Sequence, residues 1–338
     1  MTTPAPNPFP FSLVATGVGS MPHTNPRTAA EAVVKTLPEL PFWPQLPNRS
    51  PLEQMAAQFL SEVPSASVTD DAVLIPELPE GDVSSAIGPQ RVPGLYSMID
   101  ARAKNPKGIK GQVTGPITLG ALVRLHGGIR AIDSREGREW LAEHIGRVAQ
   151  WQEHFLSQIN PQTLVFIDEP YLLQAIAEEW VSLQEIHDLI ATCAGHLTGL
   201  VGLHCCATPP WSFLVELPVK VLSFDAYRYS ATMFSAVDQI KAFLDKGGSI
   251  AWGVVPSESY SLGHTSPPEL CALLDHVWRT LAEKGIPMNQ LVRQSMITPS
   301  CGLARLTPDE SIHALEMARQ IGADLRIMMM QHMIGKPR

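Results

Sequence analysis

Eight short, β-rich apolar runs recur along the chain, at 13–19, 41–47 (the weakest), 108–115, 163–169, 200–205, 219–225, 249–255 and 294–300. Between them lie longer stretches, including 51–63, 134–159, 173–179, 182–198, 231–246, 266–285 and 308–323, where apolar residues return every third and fourth position. The longer stretches are amphipathic helices by their period, and the short runs have the length and composition of strands buried on both faces. Such strands belong to a parallel sheet clothed in helices. Eight of them in alternation with helices predict a closed (β/α)8 barrel, the TIM-barrel class of α/β folds. The second choice, an open doubly wound sheet, lacks the Gly-rich dinucleotide loop that usually follows its first strand.

A chain of 338 residues is long for one domain, yet barrels of this class reach that length as a single unit. The expected organisation is a Pro-rich arm over 1–12 followed by one barrel over 13–338. The stretch 65–107, with Pro and Gly scattered through it, is expected to form an excursion or hairpin over one end of the barrel. A net charge of −8 offers no field for a nucleic-acid backbone, and no apolar run nears the twenty or so residues of a membrane span. The first residues, MTTPAPNPFPF, lack the basic and then apolar pattern of a signal peptide. Five cysteines at irregular spacing complete the expectation of a reducing cytoplasm.

Polar residues collect where the strands end. Ser20 follows the first run, Thr114 ends the third, Asp168 and Glu169 end the fourth, His204 and Cys206 the fifth and Asp225 the sixth, while Cys301 follows the eighth. The C-terminal rim is where barrels of this class build active sites, from residues on several strands. Taken singly, Asp168 also suits a helix cap in Asp-Glu-Pro, and Asp225 a cap or turn.

His204 and Cys206 in LHCCAT, with Cys301 in TPSCGL, are soft ligands whose spacing suits zinc better than a disulfide. Three protein ligands leave a fourth position for a substrate thiol, which zinc would hold as a thiolate. Cysteines are also among the most buried residues, and a core reading stands beside the metal one. Cys193 and Cys271 lie in helical patterns and are expected in the core. Strand alternation turns Cys205 away from its two neighbours.

TGVGSMPHT, TGPITLG, FIDEP, LHCC and PSCGL occur in an order and spacing that resembles the C-terminal catalytic barrel of cobalamin-independent methionine synthase, over about residues 13–325. The resemblance is to a short, single-barrel form. Uroporphyrinogen decarboxylase and the corrinoid-dependent methyltransferases that act on coenzyme M have similar barrels at greater distance. The resemblance implies a zinc held by His204, Cys206, Cys301 and an acid. Asp225 is the acid this chain offers, as ligand or as a group orienting His204, with water as the other candidate for the fourth position. It further implies that Ser20, with the Val18 and Gly19 backbone, and Asp168 hold the amino-acid end of homocysteine. Glu53 in RSPLEQM is a second acid for the ammonium, or a solvated helix-face residue.

The chain departs from the long enzymes in two places. Its strand-seven loop reads WGVVPSES, without the His that serves acid chemistry at folate there, and Leu119 and Gly120 in TGPITLG offer no aromatic to stack on a pterin. The expected methyl donor is therefore a methylcorrinoid (methylcobalamin) carried by a separate corrinoid protein. The competing expectations are methyltetrahydrofolate, another small thiol, a decarboxylase-like enzyme, and a zinc- or thiol-binding protein without turnover.

Overall fold

The structure, a computed structural model, describes residues 9–60, 62–69, 72–81, 83–101, 103–208 and 210–334, with side chains to residue 329. Residues 1–8 of the arm expected at 1–12 lie outside the described residues. The strands are β1 (Ser67–Val68), β2 (Val73–Leu74), β3 (Ile109–Thr114), β4 (Val123–Arg124), β5 (Thr163–Asp168), β6 (Leu200–Cys205), β7 (Val221–Phe224), β8 (Ser249–Val255) and β9 (Ser295–Pro299). Six of them form one curled parallel sheet in the order β3-β5-β6-β7-β8-β9, with helices between successive strands. Strand order follows chain order, as repeated right-handed strand–helix crossovers dictate.

Every residue of β3, β5, β7, β8 and β9 is buried, as is all of β6 except Leu200. Burial on both faces explains why strands such as β5, β7 and β8 read as mainly apolar runs. One face packs on helices such as Arg135–Ser157, Pro267–Glu283 and Pro308–Ile334. The other encloses a smaller cluster of Val14, Leu40, Leu164, Phe166, Val221, Ala251 and Met296. Phe11 is fully buried in that same cluster, within the arm expected at 1–12. Burying a Phe side chain is worth about 1.5–3 kcal/mol, enough to fix the chain at that point.

The runs expected as strands at 13–19 and 41–47 form isolated parallel bridges instead: Ala15 with Ile297, Ser20 with Gln45, and Phe42 with Lys110. Pro41, Pro44 and Pro47 have no N–H to give to a ladder, so regular pairing is interrupted there. Backbone bonds nevertheless continue past the sheet's edges. Thr16 N donates to Ile297 O (3.0 Å), Gln45 N to Gly19 O (3.0 Å) and Lys110 N to Pro41 O (2.9 Å).

Within 65–107, β1 and β2 form an antiparallel hairpin, and β2 pairs in parallel with β4. β4 follows the helix Pro116–Leu122, which itself starts two residues beyond the end of β3. The hairpin is thus anchored to the chain that leaves the C-terminal end of the sheet.

Candidate metal centre and substrate site

The parallel register sets Thr114, Asp168, His204 and Ser223 side by side across β3, β5, β6 and β7. Side chains opposite one another in adjacent strands share a face, so all four belong to the inward face at its C-terminal end. The ligand atoms of His204, Cys206 and Cys301 all lie within 4.8 Å of one another. Cys205, one residue out of phase, packs in the large apolar cluster, where burial pushes its thiol up to about 11. Cys193 and Cys271 are buried in helices.

This donor set fits zinc. His204 is buried, and its Nε2 has no hydrogen-bond partner, an orphaning that normally costs about 1–3 kcal/mol. Its Nδ1 lies 2.9 Å from Ser223 Oγ. With Nδ1 taken by Ser223, Nε2 is the ring nitrogen left to a metal. The two sulfurs also act on each other. The Cys206 thiol donates to Cys301 and, with His204 alongside, draws Cys301 down to about 4 against the effect of burial, while Cys206 is driven up. This lowering of Cys301 favours the thiolate, the state a zinc ligand requires.

Asp225 is not one of the three grouped donors. Its Oδ1 accepts from Arg228 N (2.9 Å), capping the turn Ala226–Tyr229, and its Oδ2 accepts from Arg228 Nη1 (3.0 Å). Arg228 also pairs with Glu258 at 2.7 Å, in the loop WGVVPSES after β8. Orientation of His204 falls to Ser223, which the sequence reading passed over. Its signal was parity, since Ser223 is the polar residue of VLSF facing the same way as His204 in the neighbouring strand. Ser223→Ala is expected to weaken zinc about 10- to 100-fold, as loss of a ligand-orienting hydrogen bond does, with the metal titrated against a competing chelator.

Asp168 is 9% exposed and its Oδ1 has no partner. Burial raises its carboxyl to about 6, with Lys110 and His204 opposing that rise and Cys301 adding to it. It does not cap a helix. That task belongs to Glu169, which accepts from Ile117 N (2.9 Å), Thr118 N (2.8 Å) and Thr118 Oγ1 (2.6 Å) at the start of Pro116–Leu122. A Cβ on Gly115 would lie 2.2 Å from Glu169 Oε1, so TGPIT and FIDEP are two halves of one packed junction.

Ser20 sits against the loop that carries Cys301. A Cβ on Gly302 would lie 2.1 Å from Ser20 Oγ, and Leu303 N donates to Ser20 O (2.9 Å). Val18 O accepts from Lys110 Nζ (2.6 Å), and Gly19 O from Gln45 N. Glu53 is buried, not solvated. Burial raises its carboxyl, one oxygen is paired with Arg49, and Oε2 is unpartnered. Two residues on, Met55 O accepts from Thr114 Oγ1 (2.9 Å), which ties this segment to the strand beside Asp168. Leu119 is fully buried and Gly120 packs on Ile132. Among the described residues no helix is long and apolar enough to cross a membrane.

No family model and no curated protein matches the sequence. Solved structures do match. A B12-independent methionine synthase from Shewanella sp. W3-18-1, in complex with selenomethionine, superposes with a TM-score of 0.65 at 12% identity, over 94% of this chain and 99% of that one. A protein of Listeria monocytogenes provisionally assigned as a vitamin-B12 independent methionine synthase gives 0.63 at 14% identity, over 92% and 98%. A methyltransferase from Methanosarcina mazei gives 0.53 at 18% identity, over 94% of each chain. At these identities the similarity establishes a shared fold. It is the fold of the proteins that the sequence motifs resemble.

Proposed function

We propose that this chain is a methyltransferase that makes methionine from homocysteine, using a zinc ion held by His204, Cys206 and Cys301 at the mouth of a closed (β/α)8 barrel. The observation that carries the reading is the meeting of three soft donors on the same rim as a buried carboxylate with a free oxygen. A zinc- or thiol-storage protein would have no use for Asp168 or for Ser20 beside the Cys301 loop. The names of the structural neighbours, two methionine synthases and a methyltransferase, agree with it.

A free thiol, with a pKa of about 8.5, is mostly protonated at neutral pH and a poor nucleophile. Zinc in this site would hold the homocysteine sulfur as a thiolate. The chain's own residues do the rest. Asp168 pairs with the α-ammonium, Ser20 and the Val18–Gly19 backbone hold the remaining amino-acid end, and Glu53 stands as a second acid near the same segment. Together they fix the sulfur in line with the methyl donor, which converts an encounter into a nearly unimolecular step. Asp225, engaged by Arg228, leaves the fourth metal position to substrate. The cysteines form no disulfide among the described residues, in keeping with a cytoplasmic setting.

For the donor we favour a methylcorrinoid on a separate carrier protein. A folate donor would need a positioned acid at its leaving nitrogen, whereas a methylcorrinoid would supply a methyl group whose transfer to a thiolate needs no proton. In the loop WGVVPSES, Glu258 is spent on Arg228, and the imidazole that follows, His264, is exposed and stacked on Tyr260. The second reading, methyltetrahydrofolate, is favoured by the neighbours' names, which describe B12-independent enzymes. Zinc-loaded protein with homocysteine is expected to form methionine from methylcobalamin, faster with a corrinoid protein present, and none from methyltetrahydrofolate. Robust turnover with mono- or polyglutamylated folate would reverse the choice of donor. No methionine from either donor would remove the methyltransferase reading.

A further inference from the structure

A lysine stands where the strand pattern calls for an apolar residue. Lys110, the second residue of β3, is 2% exposed and points into the interior, its Nζ 4.9 Å from the centre of the Phe166 ring. Nζ donates to Val18 O (2.6 Å) and Gln112 Oε1 (3.0 Å), leaving one of its three N–H groups for the cavity beyond. That cavity is a narrow gap with no room for a water molecule, lined by Lys110, Asp168, His204, Ser223, Thr298 and the Gly17–Val18 segment. Burial draws the ammonium down to about 8, with Asp168 opposing the fall.

A buried cation is retained only where partners hold it, and a simple core position here would be filled by Leu or Ile at lower cost. Besides Gln112 on its own strand, Lys110 has two such attachments. One is the carbonyl of Val18, at the start of the loop whose Ser20 abuts Gly302 beside Cys301. The other is electrostatic. Asp168 shares the cavity, its Oδ1 is bonded to nothing, and Lys110 is the cation that faces it. His204 lines the same cavity from β6.

We infer that Lys110 is a positioning residue for the amino-acid end of the substrate: it pins the Val18–Ser20 loop from beneath, while its charge balances the Asp168 carboxylate in the absence of substrate. This rests on the homocysteine reading for its substrate, while the pinning of the loop is independent of it. Lys110 touches neither the metal donors nor the thiol, so its loss should leave both alone.

Two variants separate the attachments. Lys110→Gln keeps a donor for Val18 O without the charge, and Lys110→Met removes both at similar volume. Each is measured for zinc per chain, for affinity toward homocysteine and toward 2-mercaptoethanol, and for hydrogen exchange at the Met21 and Leu303 amides. Both variants are expected to hold wild-type zinc and to bind 2-mercaptoethanol within about twofold of wild type. Homocysteine should weaken at least about tenfold in Lys110→Met, a change of about 1.4 kcal/mol, and should bind Lys110→Gln as well as wild type or better. Exchange at Met21 and Leu303 should quicken in Lys110→Met alone. Equal weakening of both thiols, or homocysteine within twofold of wild type in Lys110→Met, or an equal loss in Lys110→Gln, overturns the positioning role. A wild-type protein that ignores homocysteine sinks the substrate reading, and unchanged exchange in Lys110→Met then sinks the inference as well.

Discussion

Cys301→Ser is expected to reduce bound zinc from close to one per chain to almost none while the fold persists. The three donor atoms lie within 4.8 Å of one another, and Cys301 is the sulfur that reaches them from a different part of the chain. His204 and Cys206 follow from one strand end, and two ligands from one segment do not make a tight zinc site. Serine keeps the shape but not the chemistry, since a hydroxyl is neither soft nor ionised at neutral pH. Structural zinc sites gain about 10–16 kcal/mol in apparent binding energy, so loss of one thiolate is the largest single effect this site can show. The fold should survive because Cys301 lies beyond the end of β9, outside the ladder and only partly buried. Metal analysis after dialysis against a weak chelator, with thermal unfolding in parallel, checks both halves. Cys205→Ala is the control, since Cys205 packs in the apolar cluster and should retain its metal. Stoichiometric zinc in Cys301→Ser would end the assignment.

Where the sequence was legible, one physical pattern governed the segment. The six sheet strands are buried on both faces, and a run such as TLVFID has no other plausible reading. The segments 13–19 and 41–47 are built differently, since Gly17 and Gly19 admit neighbouring side chains and three prolines break the ladder of 41–47. Their pairing depends on tertiary contacts that no local pattern records. The donors His204, Cys206 and Cys301 were legible because their residue types are rare and their strand parity is fixed. Ser223 and Lys110 were not, since a serine or lysine is ordinarily a surface residue, and only the register turned them inward. Asp225 is a different case. Its position after a strand suited a ligand, but its partner, Arg228, lies three residues on and claims both oxygens. FIDEP combined two roles in adjacent letters: Glu169 joins two motifs structurally, and Asp168 is left with an unbound oxygen.

That oxygen sets the second large effect. Asp168→Asn preserves volume and removes the charge, so the metal donors should keep their zinc. The carboxylate is buried with no partner on Oδ1, and an α-ammonium bound there would be a desolvated charge pair. Losing one member of such a pair costs on the order of 2–5 kcal/mol, or roughly 30-fold to several thousand-fold in affinity. Lys110 increases the penalty. With Asp168 neutral, the buried ammonium of Lys110 has no counter-charge in the shared cavity and repels the incoming one. A thiol without an ammonium, such as 2-mercaptoethanol, meets neither term and should bind within about twofold of wild type, the scatter of substitutions that touch nothing. Competition between the two thiols at fixed zinc reads the difference directly. Equal weakening of both would make Asp168 a structural residue and remove the amino acid from the substrate. Strong loss of homocysteine alone would place the selectivity of the site in the carboxylate at the end of β5, separate from the three ligands that handle sulfur.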